Sequence, residues 1–285
     1  MTPATRESEF ASEHHVYEPH RIGLPPLVPY VREAWRRRQF AYELARTTLR
    51  AHHLQTAFGQ LWLLLNPLLL SLVYFILVDI LRHGNRPPNY FAHLMACLFA
   101  YTFFSSTLTL AAKSVVRGGR LILNTAFPRS LLPMSSVLIG LRRFVPTLGI
   151  YAIVHVVSGL PIGMHLLWAL PVAALLTLFT AGMAMLVAAA EVYFRDVSSF
   201  LPYLLRIWMY GSPVLYFYDE VPDRFRWLID SNPLTPTIAA WSEVLYSGSV
   251  PSAGLLLWSA AWGVAAVTVG GLFFVSRERE FAVRL

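Results

Sequence analysis

The chain has 285 residues, 56% hydrophobic and only 14% charged, against about 25% charged in a soluble domain, so it is a membrane protein without room for a large extramembrane enzyme domain. Its excess of +7 comes from 22 Arg and the single Lys113; basic residues at membrane edges report orientation, and nucleic acid is not an expected partner. The lone cysteine, Cys97, excludes an internal disulfide framework and a multi-cysteine metal site.

Residues 1–27 are polar and close on Pro25, Pro26 and Pro29. No apolar core of a secretory signal follows the first residues, so a flexible cytoplasmic tail is expected. His14, His15 and His20 read as solvated groups of that tail, not as metal ligands. From 28 to 53 the pattern is helical: Val31, Trp35, Tyr42, Ala45 and Leu49 form one apolar stripe. Arg32, Arg36, Arg37, Arg38, Arg46 and Arg50 outnumber Glu33 and Glu43 on the other faces. Such a helix lies in the headgroup plane or flanks the first span as an orientation signal; both readings place it in the cytoplasm.

The remainder, 54–285, reads as a six-span all-α membrane domain. Apolar runs lie at about 57–81, 91–112, 134–160, 164–190, 198–218 and 253–275, each near or above the roughly 20 residues that cross the hydrocarbon core. Loop 113–133 carries Lys113, Arg117, Arg120 and Arg129 with no acid, whereas 219–252 sets two arginines against five acids. The positive-inside rule then places both termini and loop 113–133 in the cytoplasm. Asn66-Pro67 is expected to kink the first span. Gly159–Gly163 should turn spans three and four into a hairpin, and Gly182 in an Ala-rich run permits close helix approach.

Two connections carry more than a loop needs. In 113–133, Leu121, Ile122, Leu123 and Phe127 suit a short amphipathic helix that plugs into a cytoplasmic partner; an interfacial helix lying on lipid is the other reading. From Glu191 to Trp241 a charged knot, Tyr193-Phe194-Arg195-Asp196, precedes an apolar run broken at Gly211-Ser212-Pro213. An aromatic segment divided by Asn232-Pro233-Leu234 follows. A span leading into two short helices that dip back into the bilayer would give this order. Non-helical backbone at membrane depth is tolerated only where protein or a water-lined cavity covers it, which suggests a gated passage.

Tyr193-Phe194-Arg195-Asp196-Val197, Pro202, Ser212-Pro213-Val214 and Asn232-Pro233-Leu234 resemble the permease subunits of ABC-2-type polysaccharide exporters, the Wzm and teichoic-acid exporter relatives. So do Leu61-Trp62-Leu63-Leu64-Leu65-Asn66-Pro67 and Phe127-Pro128-Arg129-Ser130-Leu131-Leu132-Pro133, and the match runs over about 28–285. The resemblance implies a homodimer in a bacterial inner membrane, docked on two copies of a cytoplasmic nucleotide-binding subunit that carries the ATP and Mg. Cargo in the family is a polyprenyl-diphosphate-linked glycan; the Arg-rich composition makes an actinobacterial galactan precursor the expected one. Helix 28–53 is similar to the family's interface helix. Loop 117–131, with Arg120, Leu121, Ile122, Leu123, Phe127, Pro128 and Arg129, looks like its coupling helix. Glu191, Arg195 and Asp196 are expected to form a second cytoplasmic contact. The segment 219–250 looks like the external gate helices, with Phe225, Trp227, Asn232, Pro233 and Trp241.

Arg142 and Arg143, about ten residues into the third run, depart from what the resemblance leads one to expect. A cation near mid-bilayer costs roughly 2.5–3.5 kcal/mol on insertion scales unless it snorkels or faces water. With Arg206 at a similar depth, they read equally as a site for the lipid diphosphate, which guanidinium suits, or as cations snorkelling to the inner headgroups. Tyr74, Tyr101, Phe104, Tyr210 and Tyr216 are candidates for a glycan channel, because sugar C–H faces pack on rings; interfacial aromatic belts are the alternative. No G-x-x-x-x-G-K-[ST] occurs, so ATP hydrolysis is expected on another chain. The rivals are a polyprenyl-linked glycosyl- or acyltransferase, which wants carboxylates or a histidine base in a cavity, and a secondary transporter, which would favour acids inside the spans.

Overall fold

A computed structural model describes residues 26–52 and 61–285. The tail up to position 25 with its three histidines, His53, the first residues of the 57–81 run and the side chains of Arg50 and Leu63 lie outside the described residues. Among the described residues every regular element is a helix: α1 (Leu27–Arg36), α2 (Arg38–His52), α3 (Trp62–Leu81), α4 (Tyr90–Ala112), α5 (Ser114–Arg117), α6 (Gly119–Asn124), α7 (Leu131–Val157), α8 (Ala169–Tyr193), α9 (Val197–Tyr210), α10 (Asp223–Asp230), α11 (Thr235–Ser242), α12 (Ala253–Arg277) and α13 (Phe281–Arg284). A bilayer offers the backbone no water, so each apolar run satisfies its own peptide groups as a helix.

α4 is the axis of the subunit. Most of its residues are buried, and α3, α7, α8, α9 and α11 pack against it. Gly159, at φ +65°, turns α7 towards a 3-10 turn at Met164–Trp168 that leads into α8. α8 then packs along α12, the most extensive helix pair in the subunit. At that crossing a Cβ on Gly182 would lie 2.2 Å from the carbonyl carbon of Ala266, and one on Gly270 would lie 2.1 Å from the Gly182 oxygen. Only hydrogen at both positions allows the two backbones to meet.

Among the described residues, five segments are long and apolar enough to cross a membrane: Leu64–Leu81, Tyr90–Ala112, Leu131–Val157, Met164–Tyr193 and Ala253–Arg284. The run expected at 198–218 is different. Its helical part, α9, has 14 residues, about 21 Å at 1.5 Å per residue, short of a hydrocarbon core about 30 Å thick. A non-helical stretch, 211–217, follows it. Ser212 and Val214 are buried there, and Asn232 Nδ2 donates to Gly211 O at 2.7 Å and to Ser212 Oγ at 2.9 Å. Its Oδ1 accepts from Trp208 Nε1 at 2.7 Å and Leu234 N at 3.0 Å. One amide thus supplies partners that water would supply outside a membrane.

Both ends of the described chain meet at one end of the bundle. There Val115, Ile122, Leu132, Val192, Phe274 and Phe281 form a second apolar core. Arg195 donates to Arg284 O at 3.2 Å, and Tyr193 donates to Glu280 at 2.6 Å. This end carries the Arg-rich α1–α2 pair and the acid-free loop 113–133. The opposite end carries Arg82 paired with Glu220 and the short helices α10 and α11.

Candidate functional site

A cleft of about 550 Å³ opens between α3, α4 and α9, with Arg143 reaching it from α7. Its floor is a stripe on α4 at helical spacing: Thr102, Ser105, Ser106 and Thr109. Ser105 Oγ donates to Thr102 O at 3.4 Å, Ser106 Oγ to Phe103 O at 3.4 Å, and Thr109 Oγ1 to Ser105 O at 2.9 Å. Their protons are spent on the helix, so the lone pairs are what these oxygens offer to the cleft. Lys113, Arg117, Arg143 and Arg206 complete the lining, which holds no carboxylate. Four cations with no carboxylate among the lining residues have the chemistry to attract an anion, and acceptor oxygens beside them suit a ligand rich in hydroxyl donors.

The expected arginine trio separates. Arg143 and Arg206 line the cleft, and Arg143 Nε is buried with no hydrogen-bond partner among the described residues. Arg142 points elsewhere, its guanidinium 4.1 Å over the ring of Tyr42 on α2. Successive helical residues diverge by about 100°, so one faces the cleft and the other ties the amphipathic helix down.

The aromatic candidates separate as well. Tyr74 and Tyr101 stand in the cleft wall, with Tyr101 donating to Leu205 O. The Tyr210 hydroxyl lies 3.4 Å from that of Tyr74. Phe104 does not line a passage: it is fully buried, 5.7 Å from the ring of Phe179 and 5.4 Å from that of Trp208. Tyr216 sits beyond the cleft in the non-helical stretch, donating to Tyr210 O at 3.3 Å.

At the basic end, the residues expected to couple divide into knobs and anchors. Leu123 is 64% exposed and Arg120 is exposed beside it on α6. Leu121 is half-buried, and Ile122 is in the second core. Pro128 is buried. Phe127 lies 4.8 Å from Phe40 of α2, and Arg129 donates through its backbone N to Glu278 at 2.6 Å and through its guanidinium to Glu278 O. Glu191 is buried too, accepting from Ser198 N at 2.6 Å and so capping α9; only Arg195 and Asp196 of that trio are exposed.

The gate candidates divide likewise. Phe225 and Trp227 stand exposed on α10. Asn232 is the staple described above, and Pro233 is half-buried beside it. Trp241 is no gate tip: it is buried, donating through Nε1 to Ala96 O at 3.0 Å.

Comparison with known proteins decides the family. The profile of the ABC-2 type transporter family matches residues 38–246. The chain belongs to that family. Among relatives of this ABC-2 transporter is a Klebsiella pneumoniae protein named O-antigen export system permease protein RfbA, 30% identical over 70% of this chain and 77% of its own. A second Klebsiella pneumoniae protein of that name is 28% identical over 71% and 78%. One from Myxococcus xanthus is 29% identical over 90% of this chain and 99% of its own. With its apolar helices, this ABC-2 transporter is a multi-pass protein of the inner membrane.

The amino-acid sequence does not mark Lys113 or Glu278 of this ABC-2 transporter for a site. Lys113 is legible there only as an orientation signal and Arg117 only as the start of the 117–131 loop, although Lys113 lies one turn beyond Thr109 on the hydroxyl stripe. Glu278 joins three segments, accepting from Tyr30 Oη at 2.5 Å as well as from Arg129. Burial pushes the Tyr30 phenol far above its ordinary range, with the nearby Glu278 charge adding to it, so Tyr30 remains a donor at physiological pH. No spacing links positions 30, 129 and 278; only folding brings them together.

Proposed function

We propose that this ABC-2 transporter is the membrane permease of an ATP-driven exporter that moves a lipid-diphosphate-linked polysaccharide from the cytoplasm across the inner membrane. The basic end is cytoplasmic. Two copies face each other across the clefts, and two copies of a separate nucleotide-binding subunit, carrying ATP and Mg, dock on Leu123 and Arg120 of α6 and on the exposed Arg195-Asp196 corner. The diphosphate enters beside Lys113 and Arg117 and passes to Arg206 and Arg143, while sugar hydroxyls donate to the α4 oxygens and ring faces pack on Tyr74. The relatives named for O-antigen export support a polysaccharide as cargo. The observation that carries the reading is the carboxylate-free set of four cations around the cleft. A transferase would use a carboxylate or histidine there as acid or base, and neither is among the lining residues.

The test is the double variant Arg143→Gln with Arg206→Gln. Each charge-assisted contact to phosphate is worth about 1.5–3 kcal/mol, so export should fall by roughly tenfold or more. Lipid-linked glycan should accumulate at the inner leaflet while the chain remains in the membrane with its ATPase attached. Wild-type export by the double variant would defeat the reading.

A further inference from the structure

A second cavity, of about 440 Å³, lies at the end of the bundle opposite the basic one, between α10, α11 and the first turns of α12. Its lining includes Tyr218, Asp230, Thr235, Trp258 and Trp262. It shares no residue with the cation-lined cleft, and α12 packs on α8 and α11 away from α3 and α9.

Three observations describe what fits it. One oxygen of Asp230 accepts from Tyr218 Oη at 2.7 Å; Asp230 is exposed, and among the described residues its carboxylate forms no ion pair, so its charge is open to an occupant of the cavity. Thr235 is 2% exposed, and its hydroxyl has no hydrogen-bond partner among the described residues, an unpaired state that costs about 1–3 kcal/mol when nothing fills it. Trp258 and Trp262 stand one turn apart on α12. A carboxylate, a free hydroxyl acceptor and indole faces together select an ammonium ion, which has three donors and a charge that an indole face attracts.

We infer that this cavity binds the head group of a zwitterionic, amine-bearing phospholipid of the leaflet on that side. The ammonium sits between Asp230, Thr235 and the two indoles. The phosphate lies towards Arg226 beside the cavity, whose guanidinium is 5.1 Å over the ring of Tyr218, the hydrogen-bond partner of Asp230; its Nη1 is 3.9 Å from exposed Asp223, and its Nε has no hydrogen-bond partner among the described residues. The plus and minus of Arg226 and Asp230 thus mirror those of the head group. Lipid is favoured over a soluble amine by the surroundings: Leu257, Trp258 and Val264 are 71%, 65% and 58% exposed on a helix long and apolar enough to cross a membrane, so the cavity is reached from the hydrocarbon side.

The test uses the full chain purified in mild detergent and native mass spectrometry with phosphatidylethanolamine and phosphatidylglycerol of identical acyl chains. Wild-type protein should retain the ethanolamine lipid preferentially. Asp230→Asn and Trp258→Leu should each weaken retention about fivefold, the weight of one cation–π or ionic contact of about 1 kcal/mol. Thermal unfolding identifies a variant that is simply misfolded, and Trp258→Leu, altering an exposed side chain, then carries the comparison. Equal retention of the two lipids, unchanged retention in both variants, or displacement by a simple methyl hexoside would overturn the inference. Because the readout is lipid retention and not export, its failure leaves the proposed transport function standing, and the reverse also holds.

Discussion

Arg82 and Glu220 join the turn after α3 to the turn before α10 through hydrogen bonds of 2.9 and 2.5 Å. The Arg82 hydrogen bond holds the Glu220 carboxyl below the usual carboxylate range, and the same bond raises Arg82. Because the folded pKa of Glu220 lies below the unfolded one, its contribution is present at neutral pH and disappears as pH falls through the depressed value. The side chains are 28% and 34% exposed, so the pair is worth at most about 1 kcal/mol. Arg82→Gln should lower the unfolding midpoint modestly at pH 7. The gap between wild type and variant should close as pH falls below about 4, where carboxylates protonate; a gap constant with pH would show that the pairing contributes nothing through its charge.

Between elements, the glycine crossing of α8 and α12 brings two backbones into direct contact. Transmembrane helices gain little from the hydrophobic effect once inside lipid, and they associate through close packing of small residues. Gly270→Ala places a methyl 2.1 Å from the Gly182 carbonyl, which forces the backbones apart at about 1–3 kcal/mol. A clear drop in thermal midpoint is expected. Gly254→Ala, on the same helix with nothing within 4 Å of the added carbon, should leave the midpoint unchanged or raise it. The Asn232 staple belongs to the same scale, since it lets α9 stop short without leaving the peptide groups around Gly211 bare.

Across the whole molecule, the division of the 117–131 loop into exposed and buried residues makes the proposed coupling separable from folding. Leu123 is 64% exposed, so Leu123→Asp should change the stability of the isolated subunit by no more than about 0.5 kcal/mol. At a docking surface, losing an apolar knob and burying a charge costs about 2 kcal/mol or more, or roughly 30-fold in affinity. Copurification of the nucleotide-binding subunit and export should fall together in this variant. Ile122→Asp, in contrast, should unfold the basic end itself, because Ile122 lies in a core with Phe274 and Phe281.

Much of the architecture is legible without coordinates. Apolar runs at 91–112 and 253–275 emerge as Tyr90–Ala112 and Ala253–Arg277, because in a bilayer an apolar run of that length has no structure open to it but a helix. The basic end, the hairpin at Gly159 and the close approach at Gly182 follow from charge and residue size alone. The candidate site is legible only in part: the sequence marks Arg143, Arg206, Tyr74 and Tyr101 as out of place or well suited, but not which of them share a cleft.

What sequence determined by itself was therefore that the chain is a helical membrane protein, which end is basic, and that cations stand inside otherwise apolar runs. Direction was decided only by tertiary structure. Arg142 went to Tyr42 and Arg143 to the cleft, Ile122 turned inward and Leu123 outward, and Phe104 and Trp241 were enclosed while Phe225 stayed outside. The physical reason is that lipid and protein core are equally apolar, so a transmembrane helix carries no polar face to reveal which side its neighbours cover. That choice is made by backbones meeting at small residues and by single amides such as Asn232, contacts between positions far apart in the chain.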